Sequence, residues 1–238
     1  MTADRADRAA SALMGAYVAD AAAMGLHWLY DPARIAALTG PLAFRAPDPA
    51  DYDGAKGILV HQGKRSGDLS HYGMQMRAMT QALAGGAFDV AAYQARFAAL
   101  FGAGGAWSGY IDRPTRGTLA NLAAAAAAEG GGHGPSGVED DQLPAIAKLP
   151  PLLARPGGAA AAEVEAAVTV TNLGAPALAW SHAFAAMLTA ALEGRGIDGA
   201  LAAGRAAPEV GEALAAAQAS DASVVDFAGE AGRACHLP

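Results

Sequence analysis

The sequence predicts an all-α fold, a compact orthogonal helical bundle built as a single domain from residues 1–238. Hydrophobic residues make up 53% of the chain, and the commonest of them is alanine, the residue with the highest helix propensity. Apolar residues recur at spacings of three and four, which places them on one face of successive helices. β-branched runs occur only at residues 58–61 and 168–171, so little sequence is available for a sheet.

The first helix is predicted over residues 4–24, where Leu13 and Tyr17 recur one turn apart. Asp31 followed by Pro32 predicts a short helix to residue 38, because Asp caps helices and Pro is tolerated in the first turn. Residues 41–69 are rich in Pro, Gly and Asp and are predicted to form a long loop. Loops of this length often serve as lids or binding loops.

Capping residues and apolar spacing predict the remaining helices. These span residues 70–83, 89–101, 115–129, 140–153, 163–171, 175–192, 197–206, 210–219 and 222–234. A loop is predicted at residues 102–114, and a glycine-rich linker at residues 130–137. Neither side of this linker would bury much surface alone, so the sequence favours one domain.

Charge and cysteine content exclude several classes of protein. The net charge is −7 and no basic patch is visible, so we expect no nucleic-acid partner. The single cysteine excludes an internal disulfide and fits a reducing compartment, here the cytoplasm. The apolar segment 9–19 is interpreted as part of the first helix, and segment 166–192 as a strand or loop that leads into a buried helix, so no membrane partner is expected. A signal peptide and a single membrane span are the weaker alternatives.

Two clusters in the first third of the chain contain candidate site residues. Within residues 67–76, Asp68 and Ser70 precede a helix, and His71 and Tyr72 begin it. A helix start of this kind can face a ligand, although a capped helix with packed aromatic residues is the commoner outcome. Asp20 lies in an otherwise apolar helix, where a buried carboxylate needs a partner.

Two further clusters lie in the middle of the chain. Residues 112–118 combine two arginines with two threonines at a predicted helix start. This combination suits recognition of a phosphate or carboxylate group, and it is equally typical of a solvated loop that caps the helix. Residues 139–142 include three adjacent acids that could bind a divalent cation or simply favour a helix N-terminus. Phosphate-binding loops, His-Glu-x-x-His and Gly-x-Ser-x-Gly do not occur.

Taken together, these segments resemble the ADP-ribosylglycohydrolase family, in particular its lens crystallin-like branch. Residues 12–25, Ala-Leu-Met-Gly-Ala-Tyr-Val-Ala-Asp-Ala-Ala-Ala-Met-Gly, are similar to the opening Gly-x-x-x-Gly-Asp-Ala-x-Gly helix of that family. Residues 26–31 resemble the crystallin-like branch, and residues 67–76 fall where the family has its Thr-Asp-Asp-Thr metal motif. Weaker similarity continues in order through residues 115–118, 140–152 and 232–238.

The resemblance implies a central cleft, two divalent ions (magnesium or manganese) and hydrolysis of an N- or O-glycosidic bond of an ADP-ribosyl group. An ADP-ribose-like small molecule or an ADP-ribosylated substrate would be the partner. By this resemblance, the metal-side candidates are Asp20, Asp68 and Ser70. The substrate-binding candidates are His27, His71, Tyr72, Thr115 and Arg116, and the general-base candidates are Asp140 and Asp141.

The sequence also departs from the family pattern. The paired aspartates of the metal motif fall on His71-Tyr72 or Tyr72-Gly73, and Met74 stands where the crystallin-like branch has an acid. The second metal motif would lie beyond Pro238, so the domain is expected to be incomplete at its C-terminus, with an exposed apolar surface that favours self-association. The metal centre is therefore expected to be degraded. The alternative function is a non-catalytic binder of a nucleotide-like ligand or a structural, crystallin-like protein.

Overall fold

The structure, a computed structural model, describes residues 4–128, 134–142, 144–206, 208–223 and 226–227. Its described part is all-α, which confirms the predicted fold class. The helices are α1 Arg5–Ala23, α2 Pro32–Ala37, α3 Pro49–Tyr52, α4 His71–Ala82, α5 Val90–Phe101, α6 Arg113–Ala127, α7 Pro144–Ala147, α8 Leu149–Ala154, α9 Ala161–Thr169, α10 Ala175–Leu192, α11 Gly196–Gly204 and α12 Pro208–Ala219.

Side-chain caps fix the starts of the helices that frame the site. Ser70 Oγ accepts hydrogen bonds from the backbone N–H groups of Tyr72 and Gly73 at the start of α4. Asp89 and Asp112 cap α5 and α6 in the same way. Each cap satisfies a backbone donor that would otherwise lack a partner in the first turn. The predicted start of α4 is thereby confirmed, while α6 begins two residues earlier than predicted.

The core lies where α4, α5, α8, α9 and α10 meet. Tyr93 and Phe97 of α5 are fully buried there, and α10 packs against α1, α7, α8, α9 and α11. The other buried members of the core are Met74, Ala78, Met79, Ala82, Leu100, Phe101, Ala145, Leu149, Leu152, Leu153, Val164, Ala167, Val168, Val170, Ala177 and Ala185. Small alanine side chains allow these helices to approach closely.

Two predicted elements differ from the structure. The single helix expected over residues 140–153 is divided into α7 and α8 at Lys148. Pro150 and Pro151 lack the N–H groups that would continue the hydrogen-bond ladder of α7, so the chain has to begin a new helix. The predicted loop at residues 41–69 contains the short helix α3, which Asp48 caps and Pro49 begins.

Several predictions fall outside the described residues. They concern the central part of the glycine-rich linker, at residues 130–133, and most of the helix expected over residues 222–234. The similarity at residues 232–238 and the self-associating C-terminal surface lie there as well. Within the described residues, Arg5–Leu26 and Ala175–Leu192 are long and apolar enough to cross a membrane, a weak signal that core helices also give.

Candidate active-site cleft

A cleft of about 400 Å³ opens between the C-terminal half of α1, the start of α4 and the α7–α8 segment. Its polar or aromatic lining comes from Asp20, His27, Tyr72 and Phe184. The rest of the lining is small or apolar: Ala16, Gly73, Met76, Pro144, Ile146, Ala147 and Pro150. The volume falls within the ~300–1,000 Å³ typical of small-molecule sites. Asp20, His27 and Tyr72, three of the residues predicted from sequence, therefore meet here.

The Asp20 carboxylate is held against the first turn of α4. It accepts hydrogen bonds from the Ser70 backbone N–H at 2.8 Å, the Ser70 hydroxyl at 2.5 Å and the Gly73 N–H at 3.1 Å. Free N–H groups and the helix dipole make this position favourable for a negative charge. Asp20 thus acts as a capping anion that α1 supplies to α4.

Gly73 leaves the space that this carboxylate occupies. A Cβ at position 73 would lie 2.1 Å from Asp20 Oδ2, far inside van der Waals contact. Gly73 has a helical backbone, so its role here is close approach and not an unusual turn. In one register of the family resemblance, an aspartate of the metal motif falls on this glycine. Asp20 fills the volume that such a side chain would need.

The residues present do not fit a site for magnesium or manganese, the ions implied by the resemblance. Both ions require about six oxygen ligands. Both oxygens of Asp20 are engaged by α4, the Ser70 hydroxyl donates to Asp20, and Asp68 Oδ2 accepts the Arg65 N–H within its own loop. Among the described residues, no three His, Cys, Asp or Glu side chains are placed to hold a metal ion.

Rings from four segments of the chain form a cluster at the cleft. His27 Nδ1 lies 3.3 Å from His61 Nε2, and the ring of Tyr72 lies 5.8 Å from His27 and 4.3 Å from His71, between centroids. His61 also packs edge-on against Trp107. Burial lowers the pKa of His27, partly offset by the charge of Asp20, and lowers the pKa of His61 to about 3.

The histidine pair should make the protein acid-sensitive. The unfolded chain protonates His61 at about pH 6.5, whereas the folded chain does so only near pH 3. Between these values the unfolded state binds more protons, so stability falls as the pH falls. We expect the free energy of unfolding to drop by about 2 kcal/mol between pH 7 and about pH 4.5. Urea unfolding at both pH values measures it. The free energy of unfolding of a His61→Phe variant should fall less over the same pH range. An identical fall in that variant would show that protonation of His61 is not the cause.

His71, the first residue of α4, and Thr115 of α6 belong to a buried polar network and are not part of the cleft lining. His71 Nε2 lies 3.3 Å from Gln75 Nε2, 3.5 Å from Thr115 Oγ1 and 3.3 Å from Asp112 Oδ2. Burial raises the pKa of Asp112, but the contact with His71 and the donors of Thr115 outweigh burial and hold it below its usual value. The network ties α4 to the start of α6.

The remaining predicted residues are spread around the start of α6. Asp140 is buried and pairs with Arg113 at 2.8 Å, while its other oxygen accepts the Gln142 N–H at 2.9 Å. Arg116 is exposed and lies over the ring of Tyr110 at 5.9 Å. Asp141 is half-buried and has contacts of its own. None of these three residues, nor Asp68, is part of the cleft lining.

Sequence reasoning missed His61, Gln75 and Lys148. His61 stands in the loop predicted to lack regular structure, and its pairing with His27 spans 34 positions. Lys148 did carry a signal, because it is a lone charge within the apolar run 143–153. A charge in such a run is either exposed or paired.

The structure is thus an all-α protein with a cleft of about 400 Å³ where the Asp20 side chain of α1 anchors the start of α4. Comparison with protein families gives a match to the family described as ADP-ribosylglycohydrolase, over residues 1–235. The chain therefore belongs to the ADP-ribosylglycohydrolase family, which supports a glycohydrolase-like function at the level of the family. No curated protein and no solved structure matches the chain.

Proposed function

We propose that this chain recognises an ADP-ribosyl group in the cleft but does not hydrolyse its glycosidic bond by the metal-dependent route general in the family. The observation that carries this proposal is the engagement of Asp20. The acid that the resemblance aligns with the family's opening motif already accepts three hydrogen bonds from α4. Both of its oxygens are thereby directed at the N–H and hydroxyl groups at the start of α4.

The lining of the cleft favours the nucleoside end of the ligand. The rings of His27, Tyr72 and Phe184 offer faces on which a base or ribose can stack, and the remaining wall is mostly apolar. The lining, within the described residues, includes no lysine or arginine. A diphosphate would have no counter-charge there and would stay in solvent.

Calorimetric titration with ADP-ribose and with adenosine tests this proposal. We expect both to bind, with affinities within about tenfold of each other, because the diphosphate adds little. Binding should be the same in magnesium and in EDTA. Incubation with an ADP-ribosylated peptide should release no ADP-ribose. Magnesium-dependent release would overturn the proposal in favour of hydrolysis, and the absence of any binding heat would overturn it in favour of a structural, crystallin-like body.

A Tyr72→Ala variant should bind ADP-ribose about tenfold more weakly or worse, because stacking on an aromatic side chain is worth ~1–3 kcal/mol per base. The matched control is Ile197→Ala on α11, which removes an exposed apolar side chain that is not part of the cleft lining. This control should bind as the unmodified protein does. Equal weakening in both variants, or none in Tyr72→Ala, would contradict the assignment of the cleft.

A further inference from the structure

His27 lines the cleft, and it is held at both its backbone and its ring. Its carbonyl oxygen accepts a hydrogen bond from the Tyr52 hydroxyl at 2.8 Å. Its ring nitrogen Nδ1 lies 3.3 Å from Nε2 of His61, and the two rings are tilted by 52°. Because Nδ1 is committed to His61, Nε2 is the ring nitrogen of His27 that can meet a ligand.

The partner of this ring, His61, is almost fully buried, with 3% of its surface exposed. Its second ring nitrogen, Nδ1, is buried and has no hydrogen-bond partner among the described residues. Burial lowers the pKa of both histidines, so near neutral pH both rings are uncharged and each carries one N–H. One of the two facing nitrogens holds a proton and the other accepts it, which leaves two possible arrangements of the pair.

The two arrangements leave different groups unpaired in the interior. If His27 Nδ1 donates, the proton of His61 lies on its own Nδ1, as a buried N–H without an acceptor. If His61 Nε2 donates, the buried Nδ1 of His61 is a bare lone pair. Among backbone groups, buried N–H groups without an acceptor are rarer than under-satisfied acceptors. The same preference, applied to the ring nitrogens, favours the second arrangement, in which the proton of His27 lies on Nε2.

We propose that His61 fixes His27 as the tautomer with its proton on Nε2, so that the cleft offers an uncharged hydrogen-bond donor and selects ligands that present an acceptor to it. His61 is a positioning residue, because it is buried, is not part of the cleft lining and acts through His27. A nucleoside supplies such acceptors as ribose hydroxyl oxygens and as ring nitrogens of its base. This selectivity rests on the proposed function, whereas the tautomer does not.

Nuclear magnetic resonance of the ligand-free protein, labelled at the histidine ring nitrogens, tests the tautomers directly. The chain has six histidines, and the spectra of His27→Phe and His61→Phe identify the two sets of signals that matter. Near neutral pH we expect Nε2 of both rings to carry the proton and Nδ1 of both rings to be bare. A proton on Nδ1 of either ring in half of the molecules or more would overturn the proposal.

Calorimetric titration with adenosine tests the selectivity. His27→Phe keeps a ring for stacking but has no N–H, so its affinity for adenosine should fall about twofold to tenfold, the worth of one hydrogen bond. Deoxyadenosines that lack one ribose hydroxyl and deazaadenosines that lack one ring nitrogen identify the acceptor. For one of these analogues, His27→Phe should bind as well as the unmodified protein does. Equal losses for adenosine and for every analogue, or no loss for adenosine, would overturn the selectivity.

Variants of His61 show whether it acts through His27. His61→Phe should weaken adenosine binding, but it should add nothing in the His27→Phe background. His61→Gln, whose amide can donate to His27 Nδ1, should retain the affinity to within about twofold. The matched control is His182→Phe, outside the cleft lining, which should bind as the unmodified protein does. Additive losses in the double variant would overturn the positioning role.

The two readouts separate this inference from the proposed function. If the unmodified protein binds neither adenosine nor ADP-ribose, the proposed function fails and the selectivity fails with it. The spectra of the ligand-free protein still decide whether His61 fixes the tautomer of His27.

Discussion

Replacing Asp20 with alanine is expected to lower the free energy of unfolding by about 3 kcal/mol, since hydrogen bonds to a charged group contribute ~1.5–3 kcal/mol each and do not add fully. The variant leaves the N–H and the hydroxyl of Ser70 without their acceptor, and the Gly73 N–H keeps only the longer hydrogen bond to Ser70 Oγ at 3.3 Å. Urea unfolding, followed by circular dichroism, measures the change.

Asp68→Ala is the matched control for this prediction. Asp68 also lies beside α4, but among the described residues its carboxylate accepts one exposed hydrogen bond, from the Arg65 N–H. We expect Asp68→Ala to lower the free energy of unfolding by less than about 1 kcal/mol. If Asp20→Ala were as stable as the unmodified protein, or if both variants lost the same amount, the carboxylate of Asp20 would not anchor α4.

Gly73→Ala is expected to destabilise the protein by about 2–3 kcal/mol, although alanine usually favours a helix. The new methyl group would lie 2.1 Å from Asp20 Oδ2, so either α1 or the start of α4 would have to move. Leu69 Cβ, at 3.1 Å, adds a second close contact. The displaced carboxylate would lose the hydrogen bonds that fix it.

Two companion variants isolate the cause. Gly15→Ala, in α1, meets no atom within 4 Å and should stabilise the protein by up to about 1 kcal/mol, the ordinary gain of replacing glycine in a helix. Gly73→Ala introduced into Asp20→Ala should cost less than about 1 kcal/mol, because the atom that it collides with is gone. If Gly73→Ala lowered the free energy of unfolding of the Asp20→Ala variant by the same ~2–3 kcal/mol, Asp20 would not be the reason that position 73 requires glycine.

Local signals in the sequence predicted much of the fold. Ser70, Asp89 and Asp31 are caps that act within three residues, so α4, α5 and α2 begin where the sequence indicates. The break between α7 and α8 follows from Pro150 and Pro151, but the apolar run around them conceals it.

The candidate site was less predictable, because its contacts join distant positions. Asp20 and Ser70 were both expected at the site, yet nothing local shows that they hydrogen-bond to each other across 50 positions. An aspartate and a serine at a helix start suit a metal ligand set and a cap equally well. Only the direction of the carboxylate, towards the N–H groups of α4, separates these roles. The pairing of Lys148 with Thr171 has the same long-range character.

Titration of manganese(II) followed by electron paramagnetic resonance tests most directly whether a carboxylate of the chain, and not an ion, organises the cleft. We expect the spectrum of the hexa-aquo ion to keep its full intensity when an equimolar amount of protein is added. Loss of that signal in the unmodified protein, with stoichiometric uptake that Asp20→Asn abolishes, would contradict the account.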